Sequence, residues 1–189
     1  MTPSKALPLI AALAFIASPA AAQNPPTPTP APAAPPPPAC TGPEHRQFDF
    51  WAGYWDVYPT GKPKMVAHSL IEKLYSGCTI RENWMPLGGT GGGSLNMYDI
   101  GDKRWHQTWQ DNGNSRVEFD GGFANGKMVL MGFWQGVNGP SQDALIRMTY
   151  TPNPDGSVRQ FGEQSTDHGL TWQTNFDFTY KKSASPPPK

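Results

Sequence analysis

The chain is 189 residues long, with 15 Lys+Arg against 15 Asp+Glu and no cluster of basic residues. That balance excludes the electrostatic footprint of a nucleic-acid binder. Most of the 22 prolines lie at the two ends, which confines a packed fold to the middle of the chain.

In chain order, Lys5 supplies a short positive region, Ala6 to Ala17 an apolar run, and Ala20-Ala21-Ala22 the small residues that a signal peptidase reads. Residues 1–22 are therefore expected to be a signal peptide, cleaved before Gln23. The apolar run is too short for a transmembrane helix, and no later run approaches ~18 apolar residues, so no integral membrane segment is expected. The expected address is the periplasm or the cell exterior. Residues 23–39 form a linker, almost wholly Pro, Ala and Thr from Pro25 to Pro38. Proline fixes φ and removes the amide donor, so this stretch reads as a disordered, semi-rigid spacer. Residues 183–189 form a shorter tail of the same kind. Between them, residues 40–182 have the size of one domain.

Cys40 and Cys78 are the two cysteines. In an exported protein an isolated pair reads as a disulfide, with two free thiols as the alternative. Lipidation of Cys40 does not fit, because Pro-Pro-Ala precedes it and the signal peptide ends well before it. Downstream, Arg46 to Val57 reads Arg-Gln-Phe-Asp-Phe-Trp-Ala-Gly-Tyr-Trp-Asp-Val. Phe48 to Trp51 fits a 3₁₀ turn plugging one end of a barrel, with a strand starting at the small Gly53.

Turn chemistry then recurs at short intervals: Pro59 to Pro63, Ser76-Gly77, Pro86 to Gly92, Gly101-Asp102, Asn112-Gly113, Asn125-Gly126, Gly136 to Pro140, Pro152 to Gly156 and Asp167 to Gly169. Gly, Asn and Asp tolerate positive φ and Pro presets turn entry; Asn125-Gly126 is a two-residue hairpin signal. The segments between these breaks alternate with period 2. Val117 and Phe119 alternate with Arg116, Glu118 and Asp120. In the last segment Trp172, Thr174, Phe176, Phe178 and Tyr180 share one face. These are half-buried strands. The expected fold is all-β: an antiparallel up-and-down β-barrel of about ten strands, of the calycin or lipocalin kind, with an open sandwich as the competing architecture.

The opening Phe48-Asp49-Phe50-Trp51, Gly53 and Trp55-Asp56-Val57 resembles a family of small secreted bacterial proteins of unknown function. Gly77-Cys78, Glu82-x-Trp84, Trp105-His106-Gln107-x-Trp109-x-Asp111, Gly156 to Gln160 and Ser165 to Trp172 extend the likeness over nearly the whole domain. The Gly-x-Trp at Gly53 is also similar to the opening of lipocalins and of nitrobindin-like haem barrels, which implies a barrel with an internal cavity. Ser165-x-Asp167-x-Gly169-x-Thr171-Trp172 is similar to the Asp-box turn of sialidases; the resemblance implies a hairpin braced by Asp167, not a catalytic site.

The four histidines, His45, His68, His106 and His168, show no metal-ligand spacing, so no metal site is expected. Haem would need an axial histidine inside the barrel. His106 and His168 are the candidates, and neither matches the position of the nitrobindin ligand, so no cofactor is expected.

The segment Arg104 to Asp111 is the most informative about a site. If Trp105 and Trp109 face inward, Gln107 does too. Glu82 and Trp84 share a face, Asn96 lies on another strand, Arg147 shares a face with Leu145, and Gln160 adds a further polar group. Glu82, Trp84, Asn96, Trp105, Gln107, Trp109, Arg147 and Gln160 are thus the candidate ligand-binding residues. Aromatic walls with a few convergent polar groups are the usual composition of a small-molecule site. A self-satisfied structural network is the competing account. The expected partner is a small, partly apolar ligand. The alternatives are an enzyme using a Glu82/Arg147 pair on a small cyclic or aromatic substrate, or an interaction module displayed on the proline stalk. No nucleophile with an adjacent base is legible.

Overall fold

A computed structural model describes residues 40–185. The expected signal peptide 1–22, the linker 23–39 and residues 186–189 of the expected tail lie outside the described residues.

Two short 3₁₀ turns, Pro43–Arg46 and Asp49–Trp51, precede ten strands: β1 (Gly53–Pro59), β2 (Ala67–Leu74), β3 (Thr79–Pro86), β4 (Gly92–Asp99), β5 (Arg104–Asp111), β6 (Arg116–Ala124), β7 (Lys127–Trp134), β8 (Ala144–Pro152), β9 (Val158–Ser165) and β10 (Gln173–Lys182). Each strand pairs antiparallel with its neighbours in sequence, and β1 pairs with β10, so the sheet closes into a ten-stranded up-and-down barrel. Closure removes the exposed edges that an open sandwich would leave. The strand breaks coincide with all nine turn clusters of the sequence. At Asn125-Gly126 both residues take positive φ (52° and 77°), the backbone that a two-residue hairpin with right-handed strand twist requires.

The alternation of side chains puts one face of each strand inside. Val117 and Phe119 are buried between exposed Arg116, Glu118 and Asp120. The last strand departs from simple alternation. Thr174 pairs with Glu163 and Phe176 with Gly162, so Asn175 is an extra residue in a β-bulge. The bulge flips the parity. Phe176, Phe178 and Tyr180 point inward, whereas Thr174 falls on the outer side with Glu163. Trp172 lies outside as well, under the Arg147 guanidinium at 4.1 Å from its ring centre. The expectation that Trp172 and Thr174 share a face with Phe176 is thereby corrected.

The N-terminal turns plug one end of the barrel. Phe48 and Trp51 stack with ring centres 4.9 Å apart, and each packs on Tyr150, at 5.0 and 4.9 Å. The Trp55 indole donates to the Trp51 carbonyl at 2.8 Å, and the Trp105 indole to Gln47 Oε1 at 3.0 Å. Lys73 Nζ reaches both Asp49 carboxylate oxygens at 2.6 Å. Gly53, at φ 144°, turns the chain from plug into β1. A side chain there would run into the Lys182 ammonium.

Cys40 and Cys78 form a disulfide with Cα atoms 5.0 Å apart. It ties the start of the plug to the β2–β3 turn across 38 residues of sequence. Closing a loop of that length in the unfolded chain is worth about 3–4 kcal/mol. Reduction, or Cys78→Ser, is therefore expected to lower stability by that amount. Urea unfolding with and without reductant measures it, and coincident curves would refute the estimate.

Candidate functional site

Odd-numbered strands start at the plugged end, so the inward residues near their other ends gather at the opposite end of the barrel. There Trp84, Trp109, Trp134, Phe176 and Phe178 are half-buried and line an open-ended cavity of about 180 Å³. Phe119 and Met148 complete its apolar walls, and Glu82, Gln107, Gln160, Tyr150 and Tyr180 supply its polar groups. The rings pack on one another: Trp84 to Phe178 at 5.6 Å, Phe176 stacked on Phe178 at 5.6 Å, and Phe119 edge-on to Trp134 at 6.3 Å. Gly162 makes room for one wall, because a methyl group at its position would overlap the Phe176 ring.

The polar floor is a continuous belt between plug and cavity. Ser69 Oγ donates to Glu82 Oε1 at 3.1 Å and Ser94 Oγ to Glu82 Oε2 at 3.2 Å. Asn96 Nδ2 donates to Ser94 Oγ and to the Ile80 carbonyl, both at 3.0 Å. Gln107 Nε2 donates to Asn96 Oδ1 at 2.5 Å and reaches the Tyr150 hydroxyl at 3.5 Å. Gln160 Nε2 donates to the same hydroxyl at 2.9 Å, and the Tyr180 hydroxyl donates to Gln160 Oε1 at 2.7 Å. Each amide is thus oriented by its neighbours, and the belt leaves little rotational freedom.

Glu82 is 5% exposed and, among the described residues, has no salt-bridge partner. Burial raises its carboxyl from 4.5 to about 7, against the lowering effect of Ser69, Ser94 and Tyr180. Burial, and secondarily the negative charge of Glu82, pushes the Tyr150 and Tyr180 hydroxyls well above their ordinary value. The floor therefore holds one carboxyl poised near neutrality between phenols that stay protonated.

Five of the eight candidate residues line this cavity: Glu82, Trp84, Gln107, Trp109 and Gln160. Asn96 lies behind them, 1% exposed, and acts by orienting Gln107. Trp105 sits at the plugged end against Phe48 and Gln47. Arg147 is a correction. On β8 the inward residues are Ala144, Ile146, Met148 and Tyr150, so Arg147 is on the outer wall, where its Nε donates to Glu163 Oε2 at 3.0 Å. A Glu82/Arg147 pair does not form, and the enzyme alternative loses the pair on which it rested. Strand β8 carries apolar residues on both faces, which hid its parity in the sequence. The same ambiguity concealed Met148 and Tyr150. Phe176, Phe178 and Tyr180 were legible as an inward stripe, but not as the wall of a site.

A scan against protein-family models finds no match, and neither does a comparison with curated proteins.

No histidine lines the cavity. His106 lies on the outer wall, between Asp120 Oδ1 at 2.6 Å and Asp102 Oδ2 at 2.9 Å. Asp99, Asp102 and His106 come close enough to share a cation, but both ring nitrogens of His106 are already bonded. His168 lies in the β9–β10 turn. There Asp167 accepts Thr171 N at 2.9 Å and Ser165 Oγ at 2.6 Å, and these hydroxyl and amide donors hold its carboxyl down at about 2.

The raised Glu82 value fixes a sign. The folded state holds this proton more tightly than the unfolded chain, so the stability it contributes is full below about pH 4.5 and is lost as pH rises to about 7. The loss is on the order of 3 kcal/mol. Glu82→Gln is expected to remove this step and to be the more stable protein at about pH 8. Urea midpoints of both proteins at about pH 5 and pH 8 test this, and equal pH dependence in the two would refute it.

Proposed function

We propose that this protein is an exported barrel that binds one small, partly apolar molecule in its interior. The observation that carries this reading is the cavity at the open end. It is walled by aromatic rings and floored by hydrogen-bonded polar groups, whereas the opposite end is filled by Phe48 and Trp51. Protein interiors are close-packed, so a void of this size costs contacts that filling by one more side chain would recover. A dry cavity of ~150 Å³ accepts benzene, so about 180 Å³ suits a ligand of roughly six to nine non-hydrogen atoms. Convergent amides and hydroxyls over apolar walls give such a ligand orientation as well as burial. The export reading rests on the N-terminal sequence, and the Cys40–Cys78 disulfide is compatible with it.

Native mass spectrometry of gently purified protein is expected to show an adduct in this mass range. Titration with 3,3-dimethylbutan-1-ol, a branched neutral alcohol of suitable size, is expected to change the fluorescence of Trp84, Trp109 and Trp134. Met148→Trp, which fills the cavity, should weaken that binding at least about tenfold, a loss of ~1.4 kcal/mol. No adduct, and no saturable change with either this alcohol or its charged isostere choline, in a protein that melts normally, would overturn the reading.

A further inference from the structure

The cavity holds a charged acceptor and no charged donor. Among the described residues Glu82 is the one acidic side chain in its lining, and no Lys, Arg or His accompanies it. Each Glu82 oxygen receives one serine hydroxyl, and the Tyr180 hydroxyl stands beside the carboxyl, so all of its partners are neutral. The remaining donors of the floor are turned toward one another: the Gln107 and Gln160 amides converge on the Tyr150 oxygen, and the Tyr180 proton goes to Gln160. Over this floor stand Trp84, Trp109, Trp134, Phe176 and Phe178. The electron-rich faces of such rings attract cations, Trp most strongly, and a ring cage with a carboxylate is the recurrent solution for alkylammonium recognition. The cations set on aromatic faces among the described residues, Arg147 on Trp172, Arg159 on Phe161, Lys181 on Tyr58 and Lys182 on Trp55, do not line the cavity.

We infer that the ligand of the barrel is a small organic cation, an alkyl- or arylammonium, with Glu82 as its counter-charge and the aromatic ring of the open end as its cage. This inference rests on the ligand-binding reading above and names the chemistry of its ligand. A buried carboxylate without a cation is costly, and a ligand cation supplies the missing charge where solvent cannot. A neutral ligand would leave Glu82 either protonated or ionised without a partner. The group is about half ionised near pH 7 in the empty barrel, so binding a cation releases a proton on average. The titratable groups facing Glu82 are Tyr150 and Tyr180, both held protonated by burial, and the serines from β2 and β4 do not titrate. The pH dependence of cation binding therefore belongs to Glu82 alone among the cavity groups.

The test uses choline, a permanently charged quaternary ammonium, beside its neutral isostere 3,3-dimethylbutan-1-ol, titrated into the oxidised protein by calorimetry and tryptophan fluorescence. At about pH 8 choline is expected to bind at least about tenfold tighter than the alcohol, and its advantage should shrink toward pH 5 while the affinity of the alcohol stays level. Glu82→Gln should erase the advantage of choline and its pH dependence, and a cooperative urea transition certifies the fold of the variant. Trp84→Leu should weaken choline more than the alcohol. If the alcohol binds as well as choline or better at pH 8, the cation inference falls and the ligand-binding reading stands. If neither binds, both fall.

Discussion

The pairing of β1 with β10 is the constraint on which the rest of this structure depends. It turns a ten-stranded meander into a closed wall with no free edge. Closure also creates an interior that the inward side chains must fill. Ten strands enclose more space than one layer of Val, Ile and Leu would occupy, and the chain answers with aromatic residues and a plug taken from outside the sheet. Phe48 and Trp51 enter from the N-terminal turns, stack on each other and close over Tyr150. Among the described residues nothing equivalent enters from the other end. The same closure that demands filling thus leaves one asymmetric vacancy, and the cavity is its consequence.

The belt of Ser69, Glu82, Ser94, Asn96, Gln107, Tyr150, Gln160 and Tyr180 lies at the boundary between the filled and the vacant half. In a low-dielectric interior a partly satisfied network is worse than an apolar core, so the density of mutual bonds here is what makes the belt tolerable. Its two glutamines and one asparagine are consumed by other belt members. Glu82 differs, since its charge meets only neutral partners. The outer wall shows what compensation looks like in this protein: Arg147 meets Glu163 and Arg159 meets Asp177 at hydrogen-bond distance. The sequence could place an arginine against a carboxylate when stability alone was at stake, and inside the cavity it did not.

The fold was legible in the sequence because turn chemistry and alternation are local. All nine breaks fall between the observed strands, and Gly53 begins β1 as its small side chain suggested. The site was legible in part, and the misses have separate physical causes. Arg147 was misplaced because Leu145 and Ile146 are both apolar, so hydrophobicity could not choose which alternate set of β8 points inward. Trp172 and Thr174 were misplaced because a bulge adds one residue without any proline or glycine to announce it. Trp105 was assigned to the right face and the wrong end. Depth along the barrel axis depends on strand register and on the plug, and both are long-range properties that no window of sequence contains.

The disulfide gains a meaning from this geometry beyond loop entropy. Cys40 precedes the plug, and Cys78 immediately precedes β3, the strand that carries Glu82 and Trp84. The plug is also held by the packing of Phe48 and Trp51 on Tyr150 and Trp105, by two indole hydrogen bonds and by the Lys73–Asp49 ion pair. The plug makes no strand pairing of its own, so its seat depends on the burial of Phe48 and Trp51 and on the disulfide. Opening it would admit water behind Tyr150 and Asn96 and raise the dielectric around Glu82, which would relax the poise of its carboxyl. The covalent tie at the closed end therefore protects the electrostatics of the open one.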